Sequence, residues 1–163
     1  MRLATVAVCA LLAGLVPPAI AQETTLAFSG LRGGEGKPVE ITADSLTVDQ
    51  EGGKATFVGH VVVIQGELKL VSDRLVAEYL TGDRSKIDHM VATGNVLLST
   101  PAEAAEAETA DYFLTNSTIE LRGNVLLTQG ANVMSGEKLV VDIKTGLGRM
   151  DGRVKAVLQP AEN

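Results

Sequence analysis

Hydrophobic and polar residues alternate along most of the chain after residue 38, which is the pattern of half-buried β-strands. The clearest example lies around residue 60. There Phe57, Val61 and Val63 fall on one side of an extended chain, and Thr56 and His60 fall on the other. Aliphatic residues, many of them β-branched, fill the apolar positions, and long helical spacings are rare. The pattern therefore predicts an all-β protein.

A short phrase recurs along this pattern and consists of a glycine, a polar residue and then several aliphatic residues. Its copies begin at Gly59, Gly94, Gly123 and, more faintly, Gly152, with spacings of 35, 29 and 29 residues. A fixed period of this size is typical of stacked repeats. Positions of the same parity stay apolar on both sides of each glycine, so the repeats predict strands stacked in register with their aliphatic rows on one wall.

Acidic residues run in step with the glycines. An acid follows each of the first three glycines after 14 residues, and a further acid lies 29 residues before the first of these; the four are Asp44, Asp73, Glu108 and Glu137. At each acid the apolar residues switch between odd-numbered and even-numbered positions. If they are to stay on one face of the sheet, an extra residue must interrupt the alternation there, as in a bulge or a corner. We predict that each acid marks a corner where the sheet folds over. Ordinary solvated turn residues are the alternative.

The folded sheet would enclose an interior of unusual composition. The chain is 45% hydrophobic but only 3% aromatic, and it contains no Trp. Two facing sheets normally fill the gap between them with large interdigitating side chains. An interior of Val, Leu, Ala and Gly is therefore compatible with two structures: a closed, dry core, or an apolar groove that buries acyl chains at about 0.8 kcal/mol per methylene.

The N-terminal region predicts export from the cytoplasm. Arg2 precedes an apolar stretch over 3–16, and Ala19-Ile20-Ala21 forms a small-x-small cleavage site, so residues 1–21 are predicted to be a signal peptide. The stretch is too short for a membrane anchor. The remaining chain divides into a flexible N-terminal arm over 22–37, one domain over 38–158 and a disordered tail over 159–163. Within the domain, 101–106 interrupts the alternation and predicts a loop or one helical turn.

Charge and cysteine usage narrow the classes of function. The single cysteine, Cys9, lies in the predicted signal peptide, so the mature chain has no disulfide and depends on core burial and strand pairing. The net charge is −6, and removing Arg2 with the signal peptide makes it −7. An acidic domain with scattered basic residues argues against binding to nucleic acid.

Candidate chemistry is sparse. The only histidines, His60 and His89, have no acid or cysteine at a metal-ligand spacing, and His60 occupies a position held by Asn in two other repeats. No nucleophile motif is present. We therefore expect no catalytic residue, no metal, no cofactor and no enzymatic activity. An enzyme built on a β-solenoid groove would need acids clustered with Arg or Lys on one sheet face, and the sequence does not assemble such a cluster.

Several phrases, taken in order after a signal peptide, resemble the OstA-like family of periplasmic lipopolysaccharide-transport proteins. They are PVEITADSL at 38–46, TFVGHVVVIQG at 56–66, ATGNV at 92–96, LRGNVLLTQG at 121–130 and SGEKL at 135–139. The resemblance implies an OstA-like β-jellyroll of V-shaped, folded-over antiparallel strands. The stretch after Pro101 departs from the family pattern.

The resemblance also implies a function. It implies a protein of the periplasm of Gram-negative bacteria that shields the lipid A acyl chains of lipopolysaccharide and contributes to outer-membrane assembly. The partners it implies are inner-membrane and outer-membrane transport components, reached through edge-strand pairing, and further copies of the chain joined head to tail. The alternative is a structural β-repeat scaffold that binds no lipid and self-assembles through its sheet edges.

The candidate lipid-binding residues combine two groups. By matching position in the family, Val39, Ile41, Phe57, Tyr112 and Leu114 would face acyl chains. The apolar rows of the repeats add Leu46, Val61, Val63, Leu70, Leu75, Tyr79, Val96, Leu98, Val125, Leu127, Leu139 and Val141.

Overall fold

A computed structural model describes residues 25–27 and 36–160 of the chain. The predicted signal peptide and residues 161–163 lie outside the described residues, as does most of the predicted arm. All regular elements within the described ranges are strands: β1 (Thr25–Ala27), β2 (Glu40–Thr42), β3 (Ser45–Asp49), β4 (Lys54–Gln65), β5 (Leu68–Leu80), β6 (Asp83–Ser99), β7 (Glu103–Phe113), β8 (Thr118–Gln129), β9 (Asn132–Asp142), β10 (Leu147–Asp151) and β11 (Lys155–Val157).

The strands form one antiparallel sheet with a simple connection pattern. From β4 to β9 each strand pairs with the next along the chain. β2 and β3 pair with the two halves of β4, and β10 and β11 pair with the two halves of β9. β1 pairs with β10 at one edge, and β2 and β3 form the opposite edge. The predicted all-β, folded-over antiparallel architecture is confirmed.

The long strands bend near their middles at two kinds of corner that alternate across the sheet. In β4 the corner is the pair Gly59 and His60, both with positive φ, at 83° and 45°. This pair lies opposite a single residue of β5, Asp73, and the register shifts there. Two residues against one is the arrangement of a β-bulge, which bends the strand. The same arrangement sets Gly94-Asn95 opposite Glu108 and Gly123-Asn124 opposite Glu137.

The two kinds of corner explain the parity of the sequence pattern. A corner of two residues leaves the alternation in phase, so Val61 and Val63 are buried on the same parity as the half-buried Phe57. A corner of one residue shifts the alternation, so Leu70 and Leu75, on either side of Asp73, are both buried although their parity differs. The prediction that the acids mark corners is confirmed.

The bends divide the sheet into two facing walls. Wall I consists of β1, β3, β10 and the segments 54–58, 74–80, 83–93, 109–113, 118–122 and 138–142. Wall II consists of β2, β11 and the segments 61–65, 68–72, 96–99, 103–107, 125–129 and 132–136. The core lies between them, where Val61 and Val125 have exposures of 0% and 1%, whereas the His60 side chain is 91% exposed. The predicted inner and outer faces are confirmed.

The prediction of a loop or helical turn over 101–106 was wrong. Only Pro101 and Ala102 form a bend, and β7 begins at Glu103. The Thr100 side chain accepts hydrogen bonds from the backbone N–H groups of Ala102 and Glu103, which fixes this short bend. Beyond it the chain alternates as a strand does, with Ala105 buried and Glu106 exposed. The alternation was missed because Ala and Glu are poor strand formers, so that pairing with neighbouring strands decides the conformation here.

Parts of the predicted N-terminal arm and C-terminal tail fall within the described residues. In the arm, β1 pairs with β10 through Thr25 to Ala27. In the predicted tail, the backbone N–H of Gln159 donates to the Asn132 side chain at 2.9 Å.

Candidate functional site

The corners form a spine that joins the two walls. At each one the acid contacts the side chain that follows a repeat glycine, beginning with His60 Nδ1 and Asp44 Oδ2 at 2.7 Å. This hydrogen bond, with the attraction of the opposite charge, raises the pKa of His60. Further along the spine the pairs are Asn95 with Asp73 at 2.8 Å, Asn124 with Glu108 at 2.6 Å, and Arg153 with Glu137 at 3.8 Å.

The inner face of each wall carries an unbroken row of apolar residues from one sheet edge to the other. Each member of a row is the direct cross-strand partner of the next, so their side chains lie side by side on the same face. The row on wall I is Leu46, Phe57, Leu75, Ala92, Ala110, Leu121, Leu139 and Met150. The row on wall II is Ile41, Val63, Leu70, Leu98, Ala105, Leu127, Met134 and Ala156.

The sequence-derived candidate residues lie on these inner faces but differ in burial. Leu46 is 55% exposed, since it lies on the edge strand β3. Five others are half-buried: Val39, Ile41, Phe57, Tyr79 and Leu114. The remaining candidates are buried: Val61, Val63, Leu70, Leu75, Val96, Leu98, Tyr112, Val125, Leu127, Leu139 and Val141.

The middle of the interior is narrow. Between the walls lies an apolar cavity lined by Val63 and Leu70 on one side and by Leu75, Met90 and Tyr112 on the other. The space open to the centre of a water-sized sphere is only ≈ 20 Å³, which is little more than one water molecule requires. Of the two alternatives, a closed core or an open apolar groove, the centre of the interior in this conformation is the closed core. An acyl chain could enter it only if the walls separated.

The interior opens at the edge formed by β2 and β3. A hollow of ≈ 400 Å³ lies there, lined by the apolar residues Ile41, Ala43, Leu46 and Phe57 and by the polar residues Thr42, Asp44 and Ser45. Val48, beyond Leu46 on the same face of β3, is 53% exposed. Leu46 and Phe57 begin the row of wall I, and Ile41 begins that of wall II, so the hollow lies at the end of both apolar rows.

Polar groups lie at the rim opposite the spine, where the two walls meet again. The Tyr112 hydroxyl of wall I donates to Gln65 Oε1 of wall II at 2.7 Å, and Gln65 is only 6% exposed. The Gln65 amide in turn donates to the carbonyl of Lys37 at 3.2 Å. Further along the rim of wall II, Gln129 of β8 donates to Glu103 Oε1 of β7 at 2.7 Å. An apolar interior with a polar rim is the environment that an amphiphile requires.

Comparison with known families assigns the fold. The family model described as LptA/(LptD N-terminal domain) LPS transport protein matches residues 40–147, which include both apolar rows from β2 to the start of β10. The chain belongs to this LPS transport protein family. The resemblance found in the sequence is thereby confirmed.

Individual relatives support the same family. The chain is 34% identical over 168 residues to an uncharacterized protein of Rhizobium meliloti, a match that covers 96% of this chain and 90% of the relative. It is 28% identical over 141 residues to the lipopolysaccharide export system protein LptA of Escherichia coli, covering 77% and 73% of the two chains. The crystal structure of LptH, the LptA homologous periplasmic component of the lipopolysaccharide transport device of Pseudomonas aeruginosa, matches with a TM-score of 0.68 at 23% identity, over 76% of this chain and 96% of LptH.

A charged network on the outer face of wall I was not found by sequence reasoning. Glu120 lies 2.6 Å from Arg122 and 2.5 Å from Lys138, and Arg122 also reaches Asp111 at 2.9 Å. Burial acts to raise the pKa of Glu120, but the two cations outweigh it and hold the pKa below its usual value. The network extends through His89, which contacts Asp111 at 3.2 Å. Asp111, Lys138 and His89 lie on strands other than that of Glu120 and Arg122. The network could therefore be recognised only once the strand register was known.

The remaining expectations about chemistry concern absences. The described residues contain no group of three or more His, Cys, Asp or Glu side chains arranged to hold a metal ion. In the ranges 25–27 and 36–160, no helix has the length and hydropathy that crossing a membrane requires. The relatives with assigned names are lipopolysaccharide export proteins.

Proposed function

We propose that this chain is a periplasmic lipopolysaccharide carrier that shields the lipid A acyl chains between walls I and II. The observation that supports this most is the pair of apolar rows, which run from the open hollow at β2 and β3 through the interior. Membership of a family of LPS transport proteins supports the choice of ligand. Predicted cleavage after Ala21 would deliver the domain to the periplasm.

Loading requires the walls to move apart, because the central cavity is too small for a chain. Separation exposes apolar side chains such as Leu75 and Val63, and an acyl chain inserted between the walls covers them again. Small residues in both rows, including Ala92, Ala105 and Ala110, leave room for such a chain without a large displacement. The half-buried and exposed apolar residues at the hollow, including Ile41, Leu46 and Phe57, are then the first contacts.

Binding can be tested at the hollow with a matched pair of substitutions. Leu46→Asp places a carboxylate on the inner face at a position that is already 55% exposed, whereas Val58→Asp places one on the outer face at a position that is 42% exposed. We expect the mature protein to co-purify with lipopolysaccharide, detected by native mass spectrometry and lipid extraction. Leu46→Asp should lower the bound fraction at least several-fold, and Val58→Asp should leave it unchanged.

The proposal fails if the mature protein carries no lipopolysaccharide when expressed in a lipopolysaccharide-producing cell, or if both variants retain it equally. Far-UV circular dichroism of each variant separates lost binding from lost folding. A protein that assembles but holds no lipid would instead be the structural scaffold that the sequence left as an alternative.

We further propose that the carrier forms part of a bridge between inner-membrane and outer-membrane transport components, joined by pairing of sheet edges. β2 and β3 lie at one edge, and β1 and β11 at the other. Unpaired strand edges are templates for further pairing. Apolar residues are exposed at both: Val48 at 53% near the first edge and Val157 at 49% in β11. Head-to-tail stacking would therefore continue both apolar rows from one domain into the next.

Edge pairing can be tested by light scattering over a concentration series. Val48→Lys and Val157→Lys should each reduce self-association, because each places a charge at one half of the same junction. Leu126→Lys, at a position that is 36% exposed on the outer face of the central strand β8, is the control and should have no effect. Equal association in all three variants would refute pairing through these edges.

A further inference from the structure

Glu103 is an acidic residue on the inner face of wall II, at the start of β7, and it is only 6% exposed. Its direct cross-strand partner is Gln129, which donates to Oε1 at 2.7 Å. The second carboxylate oxygen, Oε2, is buried and receives no hydrogen bond from any group in the part of the chain that the structure describes. A buried polar atom without a hydrogen-bond partner costs free energy, because it has lost its hydration. Such an atom in a native structure calls for an explanation other than stability.

The position of Glu103 places its side chain beside the predicted acyl-chain path. Glu103 lines a small pocket between the walls. The other lining residues are Leu98, Ser99, Thr100, Ala104, Ala105 and Leu127 on the side of wall II, and Leu139 and Val141 of wall I. The space in it for the centre of a water-sized sphere is ≈ 10 Å³, enough for about one hydroxyl-sized group. Two of these leucines, Leu98 and Leu127, belong to the apolar row of wall II, so Glu103 lies beside the predicted acyl-chain path, at the polar rim.

We propose that Glu103 recognises a hydrogen-bond donor carried on the bound acyl chain, near the end where the chain meets its polar head. An ionised carboxylate accepts hydrogen bonds and donates none. A plain hydrocarbon chain offers nothing to Oε2, whereas a hydroxyl or an amide N–H satisfies it. The inference rests on the proposed function, and it adds selectivity for acyl chains that bear such a group.

The contact should be selective because of its setting. Hydrogen bonds to ionised groups are about twice as strong as those between neutral groups. An acyl chain without the donor leaves Oε2 without a hydrogen bond. The complexes of acyl chains with and without the donor therefore differ by one buried hydrogen bond to a charged group. We expect about a tenfold or greater difference in affinity.

The test compares neutral ligands that differ only in the donor. Binding of methyl myristate, methyl β-hydroxymyristate and N-methylmyristamide to the full mature chain is measured by native mass spectrometry and by displacement of a fluorescent fatty acid. The second ligand adds a hydroxyl and the third adds an amide N–H, which separates the two sources of the donor. Dodecylammonium serves as a fourth ligand, because a preference for it alone would mean that Glu103 selects a cation and would overturn the proposal.

Two isosteric variants give the comparison within the protein. Glu103→Gln retains an oxygen that accepts from Gln129 and replaces Oε2 with an amide that cannot accept. Glu106→Gln makes the same change on the same strand, but at an exposed position on the outer face. We expect the wild type and Glu106→Gln to bind the hydroxylated ester about tenfold more tightly than methyl myristate. Glu103→Gln should lose most of this preference, because a hydroxyl that accepts from the new amide forms only a weaker, neutral hydrogen bond.

The outcomes distinguish this inference from the function on which it rests. Equal binding of both esters by the wild type, or an unchanged preference in Glu103→Gln, would overturn the role of Glu103 and leave the carrier intact. Failure of the wild type to bind any of the acyl ligands would overturn both. Circular dichroism of Glu103→Gln confirms that a lost preference does not come from unfolding.

Discussion

Replacement of Gly123 by Ala tests whether the corners hold the walls in place. Gly123 has φ of 83°, which an L-residue adopts at a cost of about 1–2 kcal/mol. A methyl group there would lie 2.6 Å from Oε2, 2.7 Å from Cδ and 2.8 Å from Cβ of Glu108. Rotation of Glu108 relieves the first two contacts, but its Cβ is fixed by the strand.

The expected loss of stability follows from these terms. Overpacking of this kind costs about 1–3 kcal/mol. The lower entropy of the unfolded chain after Gly→Ala offsets about 0.4–1 kcal/mol. Together with the backbone strain, the free energy of unfolding should fall by about 3 kcal/mol. Equilibrium urea unfolding followed by far-UV circular dichroism measures it, with the slope against urea unchanged.

Gly130 provides the matched control. Its φ is 58°, also in the left-handed region, but an added Cβ would meet nothing within 4 Å. Gly130→Ala therefore carries the strain without the overlap and should cost about 1 kcal/mol or less. Adding Glu108→Ala to Gly123→Ala should recover little, because the contact with the Cβ of residue 108 remains. If Gly123→Ala and Gly130→Ala differ by less than about 0.5 kcal/mol, close packing of acid on glycine does not stabilise the corner.

Three further predictions concern the rim, the spine and the outer face. Tyr112→Phe removes the donor to the buried Gln65 and should lower the free energy of unfolding by about 1–2 kcal/mol in urea titrations. The pKa of His60 is raised by its hydrogen bond and attraction to Asp44. This pair therefore stabilises the fold below about pH 6.5, and the stabilisation is lost as the pH rises through the pKa of His60 in the folded protein. An NMR titration should show a lower His60 pKa in the Asp44→Asn variant. Burial acts to raise the pKa of Glu120, but the adjacent cations lower it overall. The ionised Glu120 therefore stabilises the folded state above about pH 4.5, and this contribution is lost as the pH falls through its pKa in the folded protein. In the Glu120→Gln variant, the free energy of unfolding should depend less on pH in the acidic range.

The repeating pattern was sufficient to predict the folded sheet because its signals are local. The parity change at Asp73 and the unchanged parity across Gly59 follow directly from one-residue and two-residue corners. Burial of Val61 and exposure of His60 then follow from the alternation. The same reasoning failed at Glu103, where alanines and glutamates concealed a strand that is held by its neighbours.

The contacts across the interior could not be predicted in the same way. The hydrogen bond from Tyr112 to Gln65 joins residues that are 47 positions apart, and nothing in either local sequence specifies the partner. The same is true of Glu103 and Gln129, and of the network around Glu120. Such contacts depend on register and on the angle between the walls, which sequence periodicity leaves undetermined.

The division of contacts between spine and rim bears on how the interior can open. At the spine the backbone crosses between the walls at every corner. At the rim, a direct hydrogen bond between wall segments within residues 36–160 runs from Tyr112 to Gln65. Separation at the rim therefore breaks few polar contacts. The apolar cost of separation is regained when an acyl chain replaces the opposite wall, because burial depends on area and not on the identity of the apolar partner. In the proposed carrier, wall-to-wall contact would be exchanged for wall-to-lipid contact with a small net change in free energy, so that a lipid would be held yet could still be passed on.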